Sequence, residues 1–332
     1  MIKRNNYIVS ICVPIYGVEK YIKRCAISLF EQTYENIEYI FVNDCTKDNS
    51  IDILLSIIDK YSNRANNIKI INHDKNRGLG TARNTAVKNA TGLFIMHVDS
   101  DDYVEPTIVE KLVVKQCESD ADIVTCGYVL YRHNKIRNIL PSPIYNIHNL
   151  ILKILARDAT MMIWGRLIRK SLYENNNITV PDGINMGEDY VTIPKLLFYA
   201  KKIDFVELPL YHYECYNAEA YTANISKNNI IQMIKSYENL REFFQNEHDS
   251  VEKINIAELK YIANCMLNCF ANNNNLLDCY SILYNRKQYM DNKLYKHVKL
   301  SNRIVLYLKK PLLVKYYVKI TKRIFVIISK II

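Results

Sequence analysis

The sequence predicts an α/β protein: a Rossmann-like, mostly parallel sheet flanked by helices, with a helical C-terminal extension. Three observations carry that expectation. Buried-strand patterns alternate with helical ones from Tyr7 to Gly127. Polar and acidic residues collect where those strands end. From about Ile225 onward the apolar spacing is helical and holds no catalytic-looking cluster. With 332 residues and 49% hydrophobic content, the chain can bury one large α/β core and still carry an appendage. We therefore expect one domain over 1–224, with halves 7–127 and 128–224, and a helical region over 225–332.

The elements follow in order. Ile8–Pro14, Ile37–Val42, Ile68–Asn72, Leu93–Val98 and Ile123–Gly127 are short, nearly continuous apolar runs, the pattern of strands buried on both faces. Between them Val18–Glu31, Asp48–Tyr61, Gly80–Ala90 and Pro106–Ser119 show helical apolar spacing. Repeated βα units imply parallel strands, and ligands of such sheets bind at the carboxyl ends. The stretch from Tyr128 to about Pro143 is polar and predicts a connector, and residues 147–173 predict helix. Pro181-Asp182-Gly183 is a turn signal, and Gly187-Glu188-Asp189 opens a helix to about Ala200. Ile203–Leu208 and Leu210–Tyr213 predict two strands, and Asn272–Asn275 a loop between helices.

Charge and cysteine narrow the class. The net charge is +10, yet eleven cations follow Asp291 with no acidic residue among them, so the first 291 residues are nearly neutral. The main body gives no sign of nucleic-acid binding. Nine cysteines lie scattered without a CxxC pair, which suits a reducing cytoplasm better than a disulfide framework. Cys265 and Cys269 share a helical face, where core packing is favoured over a metal site. The N-terminus lacks a signal-peptide core, and no uncharged apolar window approaches the roughly 20 residues of a membrane span.

The run Leu93–Val98 ends in Asp99-Ser100-Asp101-Asp102. Alternation along an extended chain puts Asp99 and Asp101 on one side, a pair able to hold Mg²⁺ or Mn²⁺ together with the oxygens of a diphosphate. The plainer alternative is that Asp102 caps a helix running from Pro106. Asp44, at the end of the second strand, sits where a carboxylate could accept the N3–H of a uracil; helix capping there falls more naturally to Asp48 or Thr46. In Arg77-Gly78-Leu79-Gly80-Thr81-Ala82-Arg83, the glycines permit close backbone approach and Arg83 could face a diphosphate; a plain tight turn is the alternative. Glu188-Asp189 can supply a general base, or simply complement a helix dipole. His212 could donate to a phosphate or ligate the metal, or be a packed structural histidine.

Together these motifs resemble family 2 glycosyltransferases of the GT-A fold. The resemblance starts in Val9–Tyr21 and Ser28–Tyr34 and continues through Val42-Asn43-Asp44, Gly78–Asn84, Asp99–Asp102 and Gly187-Glu188-Asp189, covering roughly residues 7–215. It implies that 7–127 is the nucleotide-sugar half and 128–224 the acceptor half. Pro14, Tyr16 and Glu19 would line the nucleoside pocket, with Asp44 on uracil, Gly78 and Arg83 by the donor, and Ser100 beside them. Asp99 would touch ribose or metal, Asp101 would hold the metal, Asp189 would be the base, and Glu188 would support the acceptor. Trp164, the only tryptophan, lies in a segment resembling the one that flanks the acceptor, as a sugar platform or a buried anchor. Cys45-Thr46 stands where the family usually has Gly-Ser, Gly17 replaces an Asn, and Tyr221-Thr222 matches a phosphate loop only loosely.

The implied reaction is metal-dependent, inverting transfer from a UDP-sugar to a hydroxyl of a glycan or polyprenyl-linked acceptor in surface-polysaccharide synthesis. Two rivals belong to other classes. A sugar nucleotidyltransferase needs a Gly-rich triphosphate loop after the first strand, which Pro14–Val18 does not supply. A non-catalytic scaffold has no need of Asp99, Asp101 and Asp189 together. After Pro311, Lys315, Lys319, Lys322, Arg323 and Lys330 fall within an arc of about 100° on a helix whose remaining surface is apolar. Such a helix over 312–332 fits the inner face of an anionic cytoplasmic membrane, or packs on the body or in a homo-oligomer.

Overall fold

The computed structural model describes residues 7–132, 135–141, 146–215, 226–270, 277–288, 290–308 and 310–328, without the side chains of Leu277 and 322–328. Tyr221-Thr222, Asn272–Asn275, Lys330 and the side chains of Lys322 and Arg323 lie outside the description. Met1–Ile151 with Thr160–Ala220 form one compact unit, and Leu152–Ala159 with Tyr221–Ile332 form a second.

In the first unit, the strands β1 (Val9–Ile15), β2 (Ile37–Asn43), β3 (Ile68–Asn72) and β4 (Phe94–His97) are parallel, in the order β3-β2-β1-β4. Burial explains their composition: every residue of β1 and β4 is buried, so alternation gives way to continuous apolar runs. Helices α1 (Ile22–Phe30), α2 (Ser50–Ile58), α3 (Ser62–Ala65), α4 (Leu79–Asn89) and α5 (Ile108–Ser119) alternate with these strands close to where sequence places them. All four strands therefore end on one edge, which collects Tyr16, Asp44, His73 and Asp99.

Beyond β4 the sheet is mixed and departs from the expected elements. It continues β4-β8-β6-β9-β5, with β5 Tyr103–Val104, β6 Ile123–Arg132, β8 Arg166–Arg169 and β9 Ile203–Glu214. Residues 147–173 are not one helix. After α6 (Ile147–Leu155) the chain turns through Gly165 at φ +66° into β8, which is antiparallel to both β4 and β6. Leu167 and Ile168 are buried on both faces, where an apolar run has no period to separate strand from helix. The expected connector is instead the end of β6 and the exposed, Lys- and Arg-bearing edge strand β7 (Lys135–Ile139). The two strands expected around Pro209 are one. Gly127 pairs with Pro209 at a bulge, which accommodates the missing N–H without ending β9.

At the opposite edge, Glu38 is the anchor. Its carboxylate accepts hydrogen bonds from Ser10 Oγ and from the Gly92 N–H (3.0 Å), and Lys69 Nζ lies 3.1 Å away. Gly92 lies so close to the first strand that a Cβ there would sit 2.6 Å from Ile8 O.

The second unit is helical: α9 (Lys227–Phe243), α10 (His248–Asn268), α11 (Leu277–Gln288), a 3₁₀ turn (Asn292–His297), α12 (Leu300–Tyr307) and α13 (Pro311–Ile328), after α7 (Ser171–Asn175) and α8 (Glu188–Tyr199) in the first. Cys265 and Cys269 are buried in its apolar core, as packing predicts. Buried Glu258 is held by Arg241 and by Arg286 Nε at 2.7 Å.

Burial would raise the Glu38 pKa, but the hydrogen bonds from Ser10, Thr91 and Lys69 lower it to about 2. A carboxylate with a depressed folded-state pKa stabilises above its unfolded value, and that stability is lost as pH falls through the folded one. Glu38→Gln should therefore cost roughly 2 kcal/mol in urea unfolding at pH 7. The gap from wild type should close as pH falls from about 5 towards 2.

Candidate active site

Two acidic groups distant in sequence meet on one buried guanidinium. Arg83, on the second turn of α4, is 3% exposed. Its Nη2 lies 2.8 Å from Asp99 Oδ1, 3.7 Å from Glu188 Oε1 and 4.0 Å from Asp189 Oδ1. The carboxylates at the end of β4 and the pair that opens α8 therefore form a single site. Burial disfavours charge on Arg83, but Asp99, Asp189 and Glu188 outweigh it and hold the side chain firmly protonated.

The same field acts on the pair. Burial raises Glu188 to about 8, with Asp189 adding to the effect. Asp189 rises less, to about 6: burial and Asp99 push it up, while Arg83 and a hydrogen bond from the Ile163 N–H pull it down. Burial thus holds both carboxyls above the ordinary carboxylate range, against the pull of Arg83. Asp189 Oδ1 is buried and accepts no hydrogen bond among the described residues.

Asp99, Asp101 and Asp102 each offer one carboxylate oxygen, and the three oxygens lie within 4.8 Å of one another. An all-oxygen donor set of this span fits Mg²⁺ or Mn²⁺. Asp102 is set apart by its partners: Tyr211 OH donates to it at 2.8 Å and the Glu214 N–H at 3.0 Å. Burial, with Asp101 and Asp99 nearby, pushes its pKa well up. It does not cap a helix, since α5 begins at Ile108 after Thr107. Ser100 is buried between Asp99 and Asp101.

Tyr211, which motif reading passed over, organises this loop. Its hydroxyl accepts from the Asp99 N–H at 3.1 Å while donating to Asp102. Trp164 stacks on the Tyr211 ring at 4.2 Å and 10° and is 5% exposed. The tryptophan is therefore a buried anchor in this structure rather than an open sugar platform, because Tyr211, Tyr128 and Tyr213 pack around it. His212 is also a packed residue. Tyr131 OH lies 3.0 Å from Nδ1, Glu105 2.7 Å from Nε2, and Tyr103 stacks on the ring, so neither nitrogen is spare for phosphate or metal. Neighbours on a strand face opposite ways, and that parity is the signal that separates Tyr211 from His212.

The glycine loop has a different task from the expected one. Gly78 has φ +88°, and a Cβ on it would meet the Asn185 side chain at 2.1 Å. A Cβ on Gly80 would lie 2.4 Å from Ile184 O. The close approach is made by the segment 180–185: Gly80 N–H donates to Asn185 Oδ1 at 3.1 Å, and Asn84 pairs with the Val180 backbone at 2.8 and 2.9 Å. The α4 N-terminus thus positions the run that leads into Glu188 and Asp189.

Asp44 is buried and holds the other side of that loop. It accepts from the Arg77 and Gly78 N–H groups at 2.8 and 2.7 Å and lies 2.7 Å from His73 Nδ1. Two carboxylate oxygens have about four acceptor sites, so one further N–H can still be met. Pro14 is buried, Tyr16 is half exposed, and Glu19 accepts from the Asn49 N–H at the start of α2. Cys45 takes a left-handed φ of +58°, so the turn keeps its glycine-like shape, and Thr46 Oγ1 still accepts from the Gly17 N–H at 2.9 Å.

The mostly parallel sheet and its flanking helices define a GT-A fold. Residues 10–183 match the family model Glycosyl transferase family 2, and the chain belongs to that family. EpsH of Bacillus subtilis is 32% identical over 213 residues, 62% of this chain and 60% of EpsH. The glycosyltransferase GlyA of Streptococcus pneumoniae is 30% identical over 217 residues, 62% of this chain and 30% of GlyA. The chain thus spans less than two thirds of either relative. A crystal structure of S. aureus TarS 1–349 in complex with UDP-GlcNAc shares the fold, with a TM-score of 0.71 at 21% identity, over 95% of this chain and 91% of that one.

Gly80→Ala tests the docking of 180–185. The added methyl should displace that segment, lower stability by about 2 kcal/mol and weaken turnover, read by thermal unfolding and UDP release; unchanged values would mean the contact is dispensable.

Proposed function

We propose that this chain is an inverting glycosyltransferase that moves a sugar, a hexose or N-acetylhexosamine, from a UDP-sugar to a hydroxyl of a glycan or polyprenyl-linked acceptor in surface-polysaccharide synthesis. The observation that carries the reading is the meeting of Asp99 with Glu188 and Asp189 on Arg83. The UDP-GlcNAc complex of TarS and the glycosyltransferase GlyA support the donor and reaction class.

In this reading Asp189 takes the proton from the acceptor hydroxyl as its oxygen attacks the anomeric carbon, and the bond from that carbon to the diphosphate breaks. Burial and the neighbouring Asp189 raise Glu188, which favours a single negative charge on the pair. Arg83, held beside Asp99 and the Glu188–Asp189 pair, would offer its positive charge to the departing diphosphate. Asp99 and Asp101 would hold Mn²⁺ or Mg²⁺, which when bound neutralises charge building on the leaving group. Asp44, Pro14, Tyr16 and Glu19 form the proposed nucleoside end, with Ser100 by the donor. The proposal places the enzyme in the cytoplasm, at the inner face of an anionic membrane through residues 312–332.

Asp101→Asn should abolish metal-dependent release of UDP from UDP-sugars; normal release would remove the metal assignment. Asp189→Asn should leave UDP binding within a few-fold while lowering kcat by orders of magnitude, and loss of binding would move Asp189 to the donor pocket. A base must be ionised to act, so the wild-type kcat/KM should fall as pH drops through about 6. A limb near 4, that of an ordinary aspartate, would contradict the upward shift of Asp189.

A further inference from the structure

We infer that α12 and α13 form a two-helix interfacial anchor that inserts apolar side chains into an anionic phospholipid surface. The inference deepens the membrane placement proposed above and does not depend on the sugar-transfer reading. α13 uses one face to pack: Val314 and Val318 join Val305 and Leu306 of α12 in the apolar core of the second unit. Tyr317 OH donates to Ser301 O at 3.0 Å and ties the two helices together.

That packing leaves a second apolar stripe on each helix. Leu312, Tyr316 and Ile320 follow i, i+4, i+8 spacing on α13, and Leu300, Ile304 and Tyr307 follow i, i+4, i+7 on α12. These six side chains are 37–70% exposed, large residues that water does not favour. α13 therefore packs with one face and leaves another apolar face exposed.

Charge selects the occupant. Lys299, Lys310, Lys315 and Lys319 are exposed on or beside these helices, and no acidic residue follows Asp291. A second copy docked by the same face would set cation against cation. A polyanion such as nucleic acid would pair with the lysines and leave the stripes in water. An anionic bilayer meets both demands, with headgroups for the lysines and the acyl boundary for the leucines, isoleucines and tyrosines. Among the described residues no helix is long and apolar enough to cross a membrane, so the anchor lies along the surface.

Co-sedimentation of the full chain with phosphatidylglycerol-rich and with phosphatidylcholine vesicles tests this. Wild type should sediment with the anionic vesicles and less so as salt rises. Each lysine near such a surface is worth about fivefold in partitioning, so the triple variant Lys310→Gln, Lys315→Gln, Lys319→Gln should lose roughly a hundredfold. The triple variant Leu312→Ser, Tyr316→Ser, Ile320→Ser should lose the salt-resistant part of binding at unchanged net charge. Both variants should retain wild-type circular dichroism and wild-type UDP release without vesicles. Unchanged sedimentation of both variants, or a change in oligomeric state of the serine variant without a loss of vesicle binding, would overturn the inference. Absence of UDP release in every form, with vesicle binding intact, would instead count against the enzymatic reading alone.

Discussion

A buried guanidinium shared between two carboxylate groups is the constraint on which this site depends. Arg83 without Asp99 and the Glu188–Asp189 pair would be a desolvated cation, and the pair without Arg83 would be two desolvated carboxylates. Each half is stable only because the other is present. The interaction also acts on protonation, since Arg83 draws both Glu188 and Asp189 down against the burial that raises them. Backbone packing fixes the node in place: α4 is gripped by 180–185 on one side and by Asp44 at its entry on the other.

A second, aromatic layer supports the first. Tyr211 spends both capacities of its hydroxyl on the Asp99–Asp102 loop, and its ring lies flat against Trp164. Trp164 follows Ile163, whose N–H reaches Asp189, so the segment 162–166 joins Asp189 to Tyr211, which in turn holds the acid loop. The indole is almost wholly buried among Tyr128, Tyr211 and Tyr213.

The sequence made the first half of the sheet legible because its strands are short, apolar and separated by amphipathic helices of ordinary length. The acid cluster and the Glu-Asp pair were legible for a related reason: charge at a strand end or helix start stands out against apolar surroundings. Three features were not. β8 reads as helix because Leu167 and Ile168 are buried on both faces and carry no period. β9 reads as two strands because nothing local announces that the Pro209 gap is absorbed by a bulge opposite Gly127. The glycines of the Gly78–Gly80 turn signal close approach but not by what; here it is Asn185 and Ile184 rather than a ligand that comes close. His212 and Trp164 drew attention by residue type, whereas their neighbours and burial assign them to packing.

The central claim is that the acid loop and the Glu-Asp pair serve one bound donor. Anomalous diffraction at the manganese edge, from crystals grown with Mn²⁺ and UDP, tests it most directly. A single strong peak ligated by Asp99 and Asp101 is expected, with the diphosphate reaching the same ion on the side that Arg83 faces. A peak held elsewhere, or UDP bound with no ion at these carboxylates, would contradict it.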